Sequence, residues 1–399
     1  MNPSQQRAAR LERLIGTEWD ALVVGGGITG AGVCREAARR GWRVALIEQR
    51  DFAWGTSSRS SKLVHSGLRY LAHGQFRLTL ESVRERQRLM REAPELIEPQ
   101  SFLMAHGPGR TPGRRAVGAA LALYDRMAGR RTHAYHGAED ARWLAPGLTV
   151  PGLTGATTFH DAKTDDARLV LRVLNEAERD GGLALNYAHA LEPVRQGDRI
   201  VGMTVHDVEG AATHVVRARC VINATGVWSD ALRAAVGGRA MMRPLRGSHL
   251  IIPFWRLPVA QSISLSHPRD GRPVFFFPWE GATLVGTTDL DHREPLAQEA
   301  SITAPEVDYL LDAVNSVFGG LAVTATDVVA TYAGVRPVVD DGSAEPSNAA
   351  REHLVVSESG LVTVCGGKLT TFRAMAQEAL ALAAPLAGKD FIRDLGAVF

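Results

Sequence analysis

Cysteine is scarce in this chain. Cys34, Cys220 and Cys365 are the three in 399 residues, widely spaced and without a C-x-x-C pair. That excludes a disulfide framework and the paired thiols of a zinc or redox site. Isolated thiols among apolar neighbours read as buried groups in a reducing compartment. Long hydrophobic runs are missing as well. No stretch approaches the ~20 apolar residues that cross a bilayer. Residues 1–13 are polar, with Arg7, Arg10 and Arg13 and no apolar core behind them, so they do not read as a signal peptide. Net charge is nearly absent: 45 Lys and Arg against 43 Asp and Glu leave +2. Nothing therefore drives the whole chain towards nucleic acid, and any basic surface must be local. Repeats and low-complexity tracts are lacking too. What remains, 45% hydrophobic and 22% charged, is an ordinary globular composition with length for two or three structural units. The cytoplasm is the expected compartment.

The strongest local pattern lies between Asp20 and Glu48. The apolar run 21–24 reads as a short buried parallel strand. It enters Gly25-Gly26-Gly27-Ile28-Thr29-Gly30, which fits G-x-G-x-x-G at Gly25, Gly27 and Gly30. The first glycine permits the tight turn, the second lets the backbone approach a pyrophosphate, and the third packs the following helix, 31–40, on the strand. The helix N-terminus faces the anion. Residues 43–47 return as a second strand, and Glu48 stands where a carboxylate accepts hydrogen bonds from ribose hydroxyls. A carboxylate repels a 2′-phosphate, which puts NADP last among the dinucleotides. With both strands, the helix and the acid in place, an adenine dinucleotide is the expected ligand.

Further along, residues 1–19 read as an exposed, loosely packed lead-in, and 77–95 as a charged helix. A helix over 165–179 opens on Asp165-Asp166, where acids suit the helix dipole. Residues 196–217 alternate like a hairpin. Val221-Ile222-Asn223-Ala224-Thr225-Gly226 is a strand ending in a small-residue turn. Strand-like runs follow at 249–253, 274–278 and 282–287, then a final strand and helix over 361–383. This order suits a nucleotide-binding domain built from separated segments, with an antiparallel domain threaded through it. One further segment, 110–131, sets an apolar centre at 116–124 between Arg110, Arg114 and Arg115 on one side and Arg126, Arg130 and Arg131 on the other. It is too short to span a bilayer but suited to lie on anionic headgroups.

After Glu48 the chain does not continue with further βαβ units. The stretch from Ser57 to Leu71 instead reads S-S-x-S-S-K-L-V-H-x-G-L-R-Y-L. Here the chain resembles the FAD-dependent glycerol-3-phosphate dehydrogenases of the respiratory, membrane-associated type. Further matches are Asp165-Asp166-Ala167-Arg168-Leu169, Asn223-Ala224-Thr225-Gly226, Gly247-Ser248-His249 and Gly286-Thr287-Thr288-Asp289. Gly334-Val335-Arg336-Pro337 and Gly366-Gly367-Lys368-Leu369-Thr370-Thr371 complete the series. The likeness runs from Asp20 to Arg373, in family order.

The resemblance implies a mixed α/β fold of the D-amino-acid-oxidase-like flavoprotein type, a Rossmann-like FAD-binding domain with an interleaved antiparallel-sheet substrate domain. The expected division is 18–98, 152–240 and 329–385 for FAD, and 99–151 with 241–328 for substrate. It implies oxidation of sn-glycerol 3-phosphate to dihydroxyacetone phosphate, FAD as cofactor, no metal, and electrons passed on to a quinone at the inner face of the cytoplasmic membrane. A homodimer is left open. Besides Gly25, Gly27, Gly30 and Glu48, it assigns the cofactor to Thr56, Ser57, Ser61, Lys62, Ala224, Thr225, Gly226, Gly367, Leu369 and Thr370. Arg69, Arg351 and Lys368 are assigned to the substrate phosphate, with Tyr70 lining the pocket. His65 is the expected proton acceptor at the C2 hydroxyl, and Arg336 the group that stabilises developing charge. Lys368 is expected to open a helix at Leu369. Two departures stand out: Cys365 occupies a position usually aromatic, and relatives commonly continue into a C-terminal helical cap beyond the point where this chain stops, Phe399. Alternatives are the same fold with O₂ as acceptor or with a hydroxy acid or amine as substrate, and a flavin-binding scaffold without turnover.

Overall fold

The computed structural model describes residues 2–65, 76–108, 112–342, 353–393 and 396. They fall into two compact units, one of residues 1–60, 165–244 and 336–399, the other of 61–164 and 245–335.

The first unit is built on a parallel sheet. Its strands run in the order His353–Glu358, Leu361–Gly366, Ala212–Asn223, Trp19–Val24, Val44–Ile47 and Leu183–Leu185. All neighbours pair in parallel except the antiparallel edge strand His353–Glu358. Trp19–Val24 and Val44–Ile47 are buried at every position, as expected where helices cover both faces of a parallel sheet. The helix Ile28–Ala38 packs against Asp166–Arg179 and Phe372–Ala387. Ala212–Asn223 serves two partners: its first half pairs antiparallel with Arg199–Asp207, and its second half pairs in parallel with Trp19–Val24. The hairpin expected over 196–217 is this antiparallel pair.

Residues 1–19 do not form a loose lead-in. Pro3–Gly16 is a helix, started by a reciprocal Asn2 and Gln5 capping box with Pro3 in the first turn. Leu14 is fully buried in the cluster around Trp19, Leu22 and Val221. The arginines of this segment find fixed acceptors. Arg7 donates to the Asn186 carbonyl at 2.9 Å, Arg10 pairs with Glu178 at 2.8 Å, and Arg13 donates to the Gly181 carbonyl at 2.7 Å.

The second unit holds a large, mostly antiparallel sheet. Its order is Leu290–Asp291, Met242–Pro253, Ala282–Gly286, Pro273–Trp279, Ser262–Ser266, Ile97–His106, Gly155–Thr164 and Leu63–Val64. Ala330–Val339 also pairs with Met242–Pro253, and Ala134–Gly137 with Gly155–Thr164. A core of Leu250, Ile252, Phe276, Val285, Leu310, Val314 and Phe318 joins the sheet to the helix Ala304–Asn315. The helices Phe76–Glu92 and Arg114–Ala128 pack on each other, with Val83 against Tyr124.

These two units divide the chain at other bounds than the expected FAD-binding and substrate domains. Residues 61–98 and 152–164 lie in the second unit, because Leu63–Val64 and Ile97–His106 both pair with Gly155–Thr164. That pairing is non-local and leaves no trace in local pattern. All three cysteines are buried and unpaired, and burial pushes the Cys34 and Cys220 thiols up to about 12. Among the described residues no helix is long and apolar enough to cross a membrane, and no group of His, Cys, Asp and Glu could hold a metal.

Replacing Leu14 by Ala should lower the unfolding free energy of the protein by about 2–5 kcal/mol, the cost of a buried leucine-to-alanine cavity. Urea denaturation measures it, and a change near zero would mean that the N-terminal helix adds nothing to the unit it packs on.

Candidate active site

Strand register assembles the site in the first unit. Val24 is level with Ile47 on one side and Asn223 on the other, and Asn223 is level with Thr363. The loops that follow these carboxyl ends start side by side, the place where ligands bind in open parallel sheets. Gly25 donates to the Ile47 carbonyl at 2.9 Å, and Ala224 donates to that of Val24 at 2.9 Å. Gly25 has φ +112°, and a Cβ on it would lie 2.6 Å from the Ala224 carbonyl oxygen. Only a bare backbone lets the two loops approach so closely. A Cβ on Gly30 would lie 1.9 Å from the Gly25 carbonyl oxygen, so the third glycine packs the helix on the turn as expected.

Three side chains define the cradle. Glu48 accepts from the Gly26 amide at 2.7 Å with one oxygen and from the Arg50 amide at 2.9 Å with the other. The Gln49 amide also donates to this carboxylate, whose remaining acceptor capacity suits a ribose hydroxyl. Burial raises the Glu48 carboxyl above its ordinary value, outweighing these hydrogen bonds. Ser57, on the tight turn Thr56–Ser58, accepts from the Ile28 amide at 3.0 Å. Gly27 caps that helix without a side-chain bond, and with Ser57 on its first amide an anion would meet the amides that follow. Asn223 is fully buried. Its oxygen accepts from the Thr225 hydroxyl at 2.7 Å, and its amide donates to the Ser229 carbonyl at 2.9 Å, shaping the turn through Ala224, Thr225 and Gly226.

Two more loops are pinned nearby. Ser60 donates through its amide and hydroxyl to Asp166, at 3.0 and 2.7 Å, at the first residue of the helix Asp166–Arg179. Asp165 caps that helix by accepting from the Arg168 amide. The strand Leu361–Gly366 ends on Gly366, which like the following Gly367 is at positive φ, and then comes Lys368 in extended conformation. Leu369–Thr371 forms one tight 3₁₀ turn, and the α-helix starts only at Phe372. The expected helix start at Leu369 is thus three residues early. The Lys368 carbonyl accepts from the Thr371 amide at 3.1 Å, and this i to i+3 bond defines the tighter turn.

Arg336 lies part-buried on the strand Ala330–Val339. Arg69, Tyr70 and Arg351 lie outside the described residues.

The second unit brings Ser61 and Lys62 together with residues to which the sequence reading assigns no role. The Ser61 hydroxyl is 2.9 Å from His249 Nε2, and His249 stacks on Tyr332 with ring centres 4.5 Å apart. The Lys62 ammonium lies 5.6 Å from the Trp279 ring and 5.7 Å from that of Tyr332. His65 follows Leu63–Val64 and is exposed. Buried Glu306 accepts from the Ser248 and Thr288 hydroxyls, each at 2.8 Å, and so ties the Gly247-Ser248-His249 and Gly286-Thr287-Thr288-Asp289 motifs to the helix Ala304–Asn315. Those motifs were visible in the sequence; the contacts that give them a purpose were not.

These residues fit an adenine dinucleotide: a bare glycine turn, a helix N-terminus with glycine at its cap, and a carboxylate with acceptor capacity. Two outcomes are expected for FAD retention. Glu48→Ala should weaken it by about 1.5–3 kcal/mol, the worth of hydrogen bonds to a charged group. Acid should weaken it in the wild type as well, because protonated Glu48 loses acceptor capacity, and the loss should begin above the ordinary glutamate value of 4.5. Flavin released through a desalting membrane across a pH series reads both. Equal retention by wild type and Glu48→Ala at every pH would count against this role.

Comparison with known proteins agrees with the geometry. Residues 20–380 match the family described as FAD dependent oxidoreductase. The chain is 38% identical to a glycerol-3-phosphate dehydrogenase of Mycobacterium leprae, over 94% of this chain and 65% of that protein. It is 35% identical to the aerobic glycerol-3-phosphate dehydrogenase of Bacillus subtilis, over 98% of this chain and 72% of that protein. It superposes on a glycerol-3-phosphate dehydrogenase from Bacillus halodurans complexed with FAD with a TM-score of 0.82 at 30% identity, covering all of this chain and 71% of that one. The chain thus spans about two thirds of the length of several curated relatives. The chain belongs to the FAD dependent oxidoreductases and, among them, to the glycerol-3-phosphate dehydrogenase family.

Proposed function

We propose that the protein oxidises sn-glycerol 3-phosphate to dihydroxyacetone phosphate with FAD as its resident cofactor. The observation that carries this reading is a complete dinucleotide cradle in a chain that is 35% identical, over 98% of its length, to an aerobic glycerol-3-phosphate dehydrogenase. FAD, when bound, supplies the acceptor for the hydride leaving C2. Glu48, Ser57 and the Gly25–Gly30 turn hold its adenosine and pyrophosphate, and the loops 224–226 and 367–370 support it further. Arg69, Arg351 and Lys368 bind the substrate phosphate. A dianion demands several fixed cations, and the planar guanidinium matches phosphate oxygens. Tyr70 lines the same pocket. His65 accepts the proton of the C2 hydroxyl, and Arg336 stabilises the negative charge that develops on that oxygen.

Electrons leave to a quinone at the membrane surface, and the helix Arg114–Ala128 supports this part of the reading. Its inner face, Val117, Leu121 and Tyr124, is buried in the unit's own core. The expected apolar centre is therefore not free to enter a bilayer. The outer face carries Arg114, Arg115 and Arg126 with Ala116, Ala119, Ala122 and Leu123, and Arg130 and Arg131 follow, all exposed. So small an apolar strip leaves adhesion to charge, at ~1 kcal/mol per arginine near anionic lipid. Arg110 lies outside the described residues.

Anaerobic addition of glycerol 3-phosphate should bleach the flavin, whereas glycerol, lactate and glycine should not. Arg69→Ala or Lys368→Ala should raise KM by roughly 30-fold or more, the loss of a charge-assisted contact worth about 2–5 kcal/mol. His65→Ala should slow flavin reduction by ~10²–10⁴. Bleaching by glycerol equal to that by its phosphate would sink the substrate assignment, and normal reduction by the His65 variant would place the base elsewhere.

Liposomes rich in anionic lipid should sediment the wild type at low salt and release it as salt rises. Replacing Arg114, Arg115, Arg130 and Arg131 with Gln should abolish sedimentation and leave flavin reduction intact. Wild-type protein that stays in the supernatant at low salt would remove the membrane part of the proposal alone.

A further inference from the structure

We infer that His249 is a positioning residue, acting through Ser61 on the segment that ends in His65. The functional weight of this inference rests on the reading of His65 as proton acceptor given above. His249 is 1% exposed, on the strand Met242–Pro253, with Nε2 2.9 Å from the Ser61 hydroxyl. Its imidazole lies nearly parallel to the Tyr332 ring, at 14°. Opposite it in the strand register stands Gly286, where a Cβ would come within 2.2 Å of His249 Cδ2. The missing side chain is what lets the imidazole lie across the neighbouring strand.

The segment that His249 touches is held in a shape it would not adopt alone. Lys62 has φ +56°, a left-handed conformation that is unfavourable for a residue with a Cβ. Contacts around it maintain that shape. The Lys62 carbonyl accepts from the Thr164 amide at 2.9 Å, its ammonium sits by Trp279 and Tyr332, and Ser61 is tied to His249. Leu63 and Val64 then pair with Lys163 and Ala162, and His65 emerges directly after them. Ser61 lies four residues before His65, and its bond to His249 helps fix where the paired run Leu63–Val64 begins, and with it the place of His65. His249 is itself a firm anchor: the Ser248 amide donates to the Thr288 hydroxyl at 2.9 Å, and the Ser248 hydroxyl to buried Glu306.

An imidazole that only filled space would be replaced equally well by Phe. One that positions through Nε2 would be replaced better by Gln, whose amide reaches a similar point. The test compares His249→Phe and His249→Gln with the wild type in the full-length, FAD-loaded protein. Amide hydrogen exchange of the peptide containing residues 61–65 should quicken in His249→Phe and return towards wild type in His249→Gln. Anaerobic flavin reduction at saturating glycerol 3-phosphate should fall roughly 10–100-fold in His249→Phe, as expected for a displaced reacting group, with half-saturation changed by less than about threefold. His249→Gln should recover most of that rate. Phe and Gln variants that are equally slow, or both as fast as wild type, would overturn the inference, as would unchanged exchange in His249→Phe. A wild type that glycerol 3-phosphate does not bleach would remove the substrate reading instead, and the exchange comparison would then decide the positioning role by itself.

Discussion

The cofactor half of this protein depends on one close approach of backbone to backbone. The turn after Trp19–Val24 and the turn after Ala212–Asn223 lie so near that a Cβ on Gly25 would meet the Ala224 carbonyl oxygen at 2.6 Å. The level register of Val24, Ile47 and Asn223 makes this approach unavoidable, since it starts all three following loops at the same height. The cradle, the helix N-terminus behind it and the place of Glu48 at the end of the next strand all follow from that register. A side chain at Gly25 would push apart the loops that the ligand must touch.

Within each unit, buried polar groups shape loops that apolar packing cannot shape. Asn223, Asp166 and Glu306 are each nearly fully buried, and each holds several hydrogen bonds, Asn223 within its own turn and Asp166 and Glu306 to other loops. Such groups are costly to bury without partners and directional once partnered. They fix loop geometry where a leucine would only fix distance. Each occupies or adjoins a motif that the sequence displays plainly: Asn223-Ala224-Thr225-Gly226, the Asp165-Asp166 pair, and the two motifs bound by Glu306.

The same logic explains why the helix Arg114–Ala128 looked more apolar in sequence than it is on the surface. Val117, Leu121 and Tyr124 follow the helical period and turn inward, so the row of alanines and arginines that remains outside is mainly a charged surface. A one-dimensional count of apolar residues cannot separate these two faces until the packing partner is known. The N-terminal helix erred in the opposite direction. It reads as a loose lead-in in sequence, but carbonyls and acids of residues 178–187 receive its arginines, and Leu14 is sealed beneath.

By itself the sequence determined the βαβ unit, its three glycines and Glu48, because those features are local: they obey the periods of strand and helix and the steric needs of one turn. It also determined the family, through motifs kept in order from Asp20 to Arg373. The tertiary structure alone decided what depends on pairing between distant segments. Only strand pairing assigns residues 61–98 to the second unit, and only folding brings His249 against Ser61 across 188 positions of chain. Motif glycines such as Gly286 announce that backbone and side chain come close somewhere. Which side chain arrives is settled by sheet register, which no local pattern encodes.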